Sequence, residues 1–145
     1  LEITFLLIPG ENDSEQEVEQ MTQWVVEELG ADVPLHFSAF HPDWKMTDRP
    51  PTPTAMLKRS RTIALKNGLH HAYTGNVHDF QGSSTYCYRC GERLIGRDWY
   101  ELSDWNLTNG AGGAECRFCN APIAGLFDFQ PGTWGSRRQA VHFHD

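Results

Sequence analysis

The segment Cys87-Tyr88-Arg89-Cys90-Gly91, together with Cys116-Arg117-Phe118-Cys119, decides how the second half of the chain folds. These are two Cys-x2-Cys pairs, 25 residues apart, and they use all four cysteines of the sequence. Each pair predicts a tight turn, a zinc knuckle, whose backbone N–H groups point at the sulfurs. Four thiolates at about 2.3 Å from one ion make a closed structural zinc site. The spacing therefore predicts a metal site formed by Cys87, Cys90, Cys116 and Cys119.

Two other interpretations use the same cysteines. They could form two disulfides, although nothing else in the sequence is typical of a secreted protein. An iron site of rubredoxin type has the same four-sulfur geometry and is the main alternative to zinc. Four thiolates on one ion leave no open coordination position, so the predicted role of the site is structural. Paired knuckles also indicate a reducing interior, and we expect a cytoplasmic protein.

Composition excludes several classes of function. The formal net charge is -7, so the ribbon lacks the basic stripe needed to neutralise nucleic-acid phosphates. No apolar run reaches the 18 residues typical of a membrane span. A metal-dependent hydrolase is disfavoured, because no helix carries a His/Glu pair at ligand spacing and the strong metal site is closed. The sequence starts without Met, inside a predicted strand, and we expect it to be part of a longer protein.

The first 77 residues have the pattern β-α-β-α-β. The predicted elements are a strand at Ile3–Ile8, a helix from Ser14 to about Leu29, a strand at Val33–Phe40, a helix at about Thr54–Asn67 and a strand at His70–Tyr73. The first strand is a continuous apolar run, which predicts burial on both faces. In the second strand, His36 and Ser38 alternate with apolar residues, so one face carries polar groups that a site could use. Parallel pairing with right-handed crossovers follows from this order.

After Val77 the helical period does not return. Short strands are predicted at Arg93–Ile95, Trp99–Leu102 and Asn106–Thr108, with a flexible glycine-rich loop at 110–113. We assign three regions: residues 1–77 as the α/β part, 78–126 as a small antiparallel zinc ribbon, and 127–145 as a tail. The tail, which contains Trp134 and Arg138, is predicted to lie across another surface. The ribbon core is minimal, so the metal must supply much of its folding free energy.

Five segments in order resemble a known family. They are Leu7-Ile8-Pro9-Gly10-Glu11-Asn12-Asp13-Ser14, His36-Phe37-Ser38-Ala39-Phe40-His41-Pro42-Asp43, Tyr73-Thr74-Gly75-Asn76-Val77-His78-Asp79, the four-cysteine ribbon, and Gly132-Thr133-Trp134-Gly135-Ser136-Arg137-Arg138. Together they resemble the C-terminal half of a radical S-adenosylmethionine (SAM) enzyme. The specific family is the radical SAM component of the AmmeMemoRadiSam system, related to pyruvate formate-lyase activating enzymes.

The resemblance implies a fold and a site. The chain would supply the last three strands of a partial (β/α)6 barrel and an appended rubredoxin-like ribbon. Residues Ile8, Pro9, Phe40 and His41 match positions that contact the SAM adenosine in that family. The intact enzyme would cleave SAM reductively to a 5′-deoxyadenosyl radical, using a 4Fe–4S cluster held by a Cys-x3-Cys-x2-Cys motif. This sequence lacks that motif, so we expect the chain alone to be inactive.

The expected partners follow from the strand order. If Ile3–Ile8 borders absent strands, its edge would pair with the N-terminal half of the same protein or with a second copy. The family name also implies Memo-like or AMMECR1-like proteins as partners, whereas nucleic acid and membrane are not expected. A different class of function stays open: the chain could be a non-catalytic zinc-ribbon module that binds another protein.

Overall fold

The computed structural model describes residues 1–110, 112–128, 130–133 and 135–137, and these residues form a mixed α/β fold. Its strands are β1 Ile3–Leu7, β2 Leu35–Ala39, β3 Ala72–Gly75, β4 Thr85–Tyr86, β5 Arg93–Asp98, β6 Glu101–Trp105, β7 Leu107–Gly110 and β8 Gly113–Cys116. Its helices are α1 Glu15–Trp24, which continues as a π-helical turn over Val25–Leu29, α2 Thr54–Lys66 and α3 Phe80–Ser83. No helix in these ranges is both long and apolar enough to cross a membrane.

The first sheet is parallel, with β2 between β1 and β3. Its alternating apolar residues face α1 and α2, and the resulting core contains Leu7, Val18, Val25, Leu35, Phe37, Leu57, Ala64, Leu69 and Ala72, all at most 2% exposed. The predicted β-α-β-α-β order and the parallel pairing are thus confirmed for the described residues. These three strands form an open sheet.

The opposite face of this sheet is not covered by α1 or α2. The register places Thr4, His36 and Tyr73 side by side on this face, followed by Leu6, Ser38 and Gly75. The prediction that the first strand is buried on both faces is therefore wrong, because Thr4 is exposed and the Leu6 side chain is 44% exposed. The prediction that His36 and Ser38 share one polar face is confirmed.

Two boundaries differ from the sequence prediction for local reasons. The third strand begins at Ala72 instead of His70, because the His70 N–H donates to Ala31 O in the loop before β2. The first helix ends its α-helical part at Trp24, and the Gly30 N–H then bonds to Val25 O, five residues back. The extra residue in this turn rotates the side chains that follow it, and Leu29 is 37% exposed.

The second half contains two antiparallel sheets, β4-β5-β6 and β7-β8. Residues 78–85, where the sequence predicts no helix, contain the short helix α3, and the ribbon strands end two to three residues later than predicted. The predicted loop at 110–113 is the tight end of the β7-β8 hairpin, where Gly110 pairs with Gly113. In the tail, Trp134, Arg138 and residues 139–145 lie outside the described residues.

Candidate functional site

The four cysteines meet as the ribbon folds. The Cys87 and Cys119 sulfurs are 3.6 Å apart, the Cys90 and Cys116 sulfurs are 3.7 Å apart, and all four lie within 4.8 Å of one another. Four ligands at about 2.3 Å from a central ion form a tetrahedron with edges of about 3.8 Å. The sulfurs are therefore spaced to hold one metal ion of zinc size, and none of the four is in a disulfide.

The two knuckles repeat one backbone pattern. The first cysteine of each pair accepts at its carbonyl from the N–H four residues on, from Gly91 to Cys87 and from Asn120 to Cys116, both at 2.9 Å. Both donor residues have positive φ, 76° for Gly91 and 56° for Asn120. Glycine and asparagine are the residues that adopt this conformation at low cost. The chain thus builds two equivalent half-sites from local turn chemistry.

The knuckle amides and the neighbouring thiols shift the thiol pKa values in opposite directions. Burial raises the pKa of Cys87, but the backbone N–H groups of Cys90 and Arg89 outweigh it and lower that pKa to about 7. The N–H of Glu92 lowers the pKa of Cys90, yet desolvation and the neighbouring thiols raise it to about 12. Four thiolates cannot coexist here without a cation. A bound divalent ion would supply the charge that lets all four ionise.

A second candidate site lies where the parallel strands end. The β1-β2 register pairs Leu7 with Ala39, which brings the following residues, Ile8 and Phe40, to one edge of the sheet. The buried Thr52 ties these ends together: its hydroxyl donates to Leu7 O at 2.5 Å and accepts from the Phe40 N–H at 2.9 Å. In open α/β sheets, this carboxyl edge is where ligands bind.

The four predicted SAM-contact positions differ in exposure. Phe40 is buried, 8% exposed, whereas Ile8 and Pro9 are half-buried. His41 is exposed, and its Nδ1 lies 3.1 Å from Pro42 O. Ile8 and Phe40 therefore follow paired strand ends, and the His41 side chain is open to solvent.

The loop after β3 reaches the same edge. Asn76, at φ 59°, donates from its side chain to Ala39 O at 3.3 Å. Asp79 is 8% exposed; its Oδ2 accepts from the Thr74 hydroxyl at 3.1 Å, and its Oδ1 lies 3.4 Å from Lys58 Nζ. A Cβ at Gly82 would collide with both Thr74 and Asp79, so a glycine is needed there.

Sequence reasoning missed two residues that build this edge. Thr52 stands in the proline-rich linker before α2, which gave no sign of a hydrogen-bonding role. Asn12 lies just before the predicted helix, and its side chain accepts from the Ile8 N–H at 2.8 Å and donates to Leu6 O at 2.9 Å. One feature of the sequence could have identified both Thr52 and Asn12. Each is a short polar residue within a few positions of a strand end or a proline, where such side chains often bond to the backbone.

Comparison with known proteins gives one informative relative. The chain is 40% identical, over 123 residues, to an uncharacterized protein of Methanocaldococcus jannaschii. The match covers 85% of this chain and 36% of that protein, so the chain spans about a third of the relative's length. No family model matches the chain, and no solved structure matches it.

Proposed function

We propose that this chain is the C-terminal part of a radical SAM enzyme, related to the radical SAM component of the AmmeMemoRadiSam system. In the intact protein, a 4Fe–4S cluster from the preceding part would supply the electron that cleaves SAM. This chain would contribute contacts to the adenosine from Ile8, Pro9, Phe40 and His41, together with a structural zinc ribbon.

The observation that carries this proposal is a parallel sheet covered by helices on one face only, with the matched residues at its carboxyl edge. In a barrel, helices cover the outside of the sheet and the strand ends carry the ligand site. Helices α1 and α2 lie on one face, and polar residues such as His36 and Ser38 occupy the other. Ile8 and Phe40 directly follow the ends of the adjacent strands β1 and β2.

The chemistry of the four-cysteine site supports separate structural and catalytic metal sites in the intact protein. A cluster that binds SAM needs three cysteines and one iron left open. All four cysteines of this chain lie within 4.8 Å of one another in two knuckles, an arrangement suited to closing on one ion. The ribbon would therefore hold structure, and the SAM-cleaving cluster would belong to the other part of the protein.

The same proposal assigns a partner to β1. This strand pairs only with β2 within the described residues, and Leu6 beside its free edge is 44% exposed. Such an edge favours pairing with another strand. We propose that it pairs with the preceding part of the same protein, and that the isolated chain self-associates there. Light scattering should give a mass above the monomer's 16.5 kDa at micromolar concentration; a strictly monomeric chain would contradict this assignment.

The test uses the full-length protein that contains this sequence, with its cluster reconstituted anaerobically. Under reducing conditions it should convert SAM to 5′-deoxyadenosine, whereas this chain alone should not. The His41→Ala variant should weaken SAM binding by about tenfold, the effect of one lost polar contact to a ligand. His70→Ala is the control for loss of a histidine far from this edge, because His70 precedes β3 at the opposite edge of the sheet, where its Nδ1 lies 2.8 Å from Asp32 Oδ1.

Three results would contradict the proposal. The full-length protein could bind no iron–sulfur cluster, or it could carry a cluster and release no 5′-deoxyadenosine above background. Equal loss of SAM binding in the His41 and His70 variants would show that His41 is not an adenosine contact. If the full-length protein shows no SAM chemistry but its ribbon captures a second protein, the non-catalytic binding module is the better description.

A further inference from the structure

A cavity of about 510 Å³ lies between the ribbon and the face of the parallel sheet opposite α1 and α2. Both parts of the molecule contribute polar side chains to its wall, namely Glu2, His36, His71, Tyr73, Ser83 and Arg97. The cavity is separate from the carboxyl edge described above. His36 and Tyr73 pair near the amino ends of their strands, and His36 is four residues, or about 13 Å, from Phe40.

Arg97 brings a half-buried positive charge to this cavity. Its Nη1 donates to Ser83 O at 3.4 Å and to the Thr85 hydroxyl at 2.5 Å. A guanidinium has five N–H donors, and those on Nε and Nη2 meet no acceptor among the described residues. No described carboxylate lies within ion-pair distance of Arg97, in contrast to Arg93 on the same strand, whose Nε is 2.7 Å from Asp104 Oδ2. The Arg97 charge is therefore available to a ligand.

His36 brings a second unused polar group to the same wall. Its Nε2 is buried and makes no hydrogen bond within the described part of the chain. Glu2 Oε2 lies 3.4 Å from it, a separation that pairs charges only when the imidazole is protonated. The Glu2 side chain is 70% exposed, so it can move away into water. An unsatisfied buried polar atom costs free energy unless a water or a ligand meets it.

Tyr73 holds these two groups in a fixed arrangement. Its ring stacks on the His36 ring, with centroids 4.9 Å apart and planes inclined by 26°. The Arg97 guanidinium carbon lies 5.7 Å from the centre of the same ring. The Tyr73 hydroxyl is 3.0 Å from the Thr85 hydroxyl, which also accepts from Arg97. The sheet and the ribbon thus share one network around the cavity.

We propose that this cavity is a binding site for the oxyanion group of a small molecule, with Arg97 and His36 as its donors. A planar guanidinium binds carboxylate or phosphate oxygens in pairs, and a neighbouring imidazole N–H adds a third donor. Burial lowers the pKa of His71, so His71 contributes a neutral wall and Arg97 supplies the charge. The site does not depend on the proposed SAM chemistry and would exist whatever reaction the protein carries out.

The test is calorimetric titration of the full-length protein in a cationic buffer at low salt, with inorganic phosphate in one arm and succinate in the other. At least one probe should bind saturably with one site per chain, and the better probe identifies the kind of oxyanion. Arg97→Gln should lower that affinity by about tenfold to a hundredfold, since a charge-assisted pair of hydrogen bonds is lost. Arg97→Lys, which keeps the charge, should lose less.

Two further variants sharpen the result. Arg93→Gln is the matched control: Arg93 is also half-buried on β5 but has its own carboxylate, so affinity should change less than about twofold. Glu2→Gln should tighten binding severalfold, because it removes a negative charge beside His36. Circular dichroism and metal content would establish that each variant is folded.

The proposal would be overturned by the absence of saturable binding of either probe at millimolar concentration. That result would indicate that a carboxylate elsewhere in the full-length protein already pairs with Arg97. Equal losses in the Arg93 and Arg97 variants would also overturn it, because they would show binding to the general surface charge of β5.

Discussion

The two halves of this molecule are held together by different means. The α/β part buries large apolar side chains, including Phe37, Leu35 and Leu57 at 0% exposure. The ribbon core is smaller, consisting of Leu94, Ile95, Ile123, Ala114, Ala121 and two of the four candidate metal ligands, Cys87 and Cys116. Burial of apolar surface stabilises a fold by about 25 cal/mol per Å², so the small side chains of Ala114 and Ala121 add little to the stability of the ribbon. A bound metal ion would therefore supply most of the stability of the ribbon and would contribute nothing to the core of the α/β part.

The largest expected effect comes from removing one metal ligand. Cys116→Ser should abolish metal binding and unfold the ribbon, because a structural zinc site supplies about 10–16 kcal/mol in small zinc domains at neutral pH. The α/β part should stay folded, since the two cores share no residue. Elemental analysis, with amide NMR spectra of the two halves, measures both outcomes.

Wild-type protein treated with a chelator is the control for this experiment, and it should reproduce the spectrum of the variant. Less than about half an equivalent of metal in freshly prepared wild-type protein would contradict the structural role. Loss of the α/β signals together with the ribbon signals would show that the two cores are not independent. Inclusion of zinc or iron as the only added metal identifies which ion the site selects.

The next effect concerns pH. Metal binding requires thiolates, and in the metal-free ribbon the pKa of Cys90 is raised to about 12. The N–H of Ala121 lowers the pKa of Cys119, but burial and the Cys87 thiol outweigh it and leave that pKa raised as well. Both groups are thus protonated at neutral pH without metal and ionised with it. The metal's contribution to stability is present at high pH and is lost as the pH falls.

This linkage predicts that loading releases at least two protons per ion at pH 7. The apparent metal affinity should then fall by at least about a hundredfold for each pH unit below 7, a factor of ten per proton released. Calorimetry in buffers of different ionisation enthalpy counts the protons. Release of fewer than one proton would mean that the thiols are already ionised before the metal binds.

A smaller loss of stability is expected from a core substitution in the α/β part. Leu57→Ala should destabilise the α/β part by about 2–5 kcal/mol, because it leaves a cavity in a packed core. Metal content should not change. Leu65→Ala is the matched control on the same helix, where Leu65 is 37% exposed and should cost much less. Thermal unfolding, followed separately in the two halves, compares the Leu57 and Leu65 variants. Loss of metal in the Leu57 variant would contradict separate cores.

The same contrast explains what could be predicted from sequence. The four-cysteine site and the helix at about Thr54–Asn67 were predictable because spacing alone encodes them, as turns and as a 3.6-residue period. The start of β3 was not, because it depends on a hydrogen bond from His70 to Ala31, which is distant in sequence. The cavity beside Arg97 was not predictable either, since it forms only where the ribbon meets the sheet.

The smallest effect tests the residue that joins β1 to β2 at the candidate SAM edge. Thr52→Val keeps the shape of the side chain but removes a hydroxyl that bonds to Leu7 O and to the Phe40 N–H. Both backbone groups would then be buried without a partner, which costs about 1–3 kcal/mol. The matched control is Thr62→Val, an exposed α2 threonine whose hydroxyl donates only to Lys58 O. Denaturant unfolding should show the difference between the two.

This variant also separates a structural role from a functional one. If Thr52 holds Ile8 and Phe40 together for a ligand, Thr52→Val should weaken SAM binding to the full-length protein. Ile63→Val, which removes a methyl group from a partly buried side chain of α2, should leave SAM binding unchanged. The reason is that only Thr52 bonds to the backbone of both strand ends. Metal content should be unchanged in both variants. Equal SAM affinities in the Thr52 and Ile63 variants would show that adenosine binding does not need the Thr52 hydrogen bonds between the strand ends.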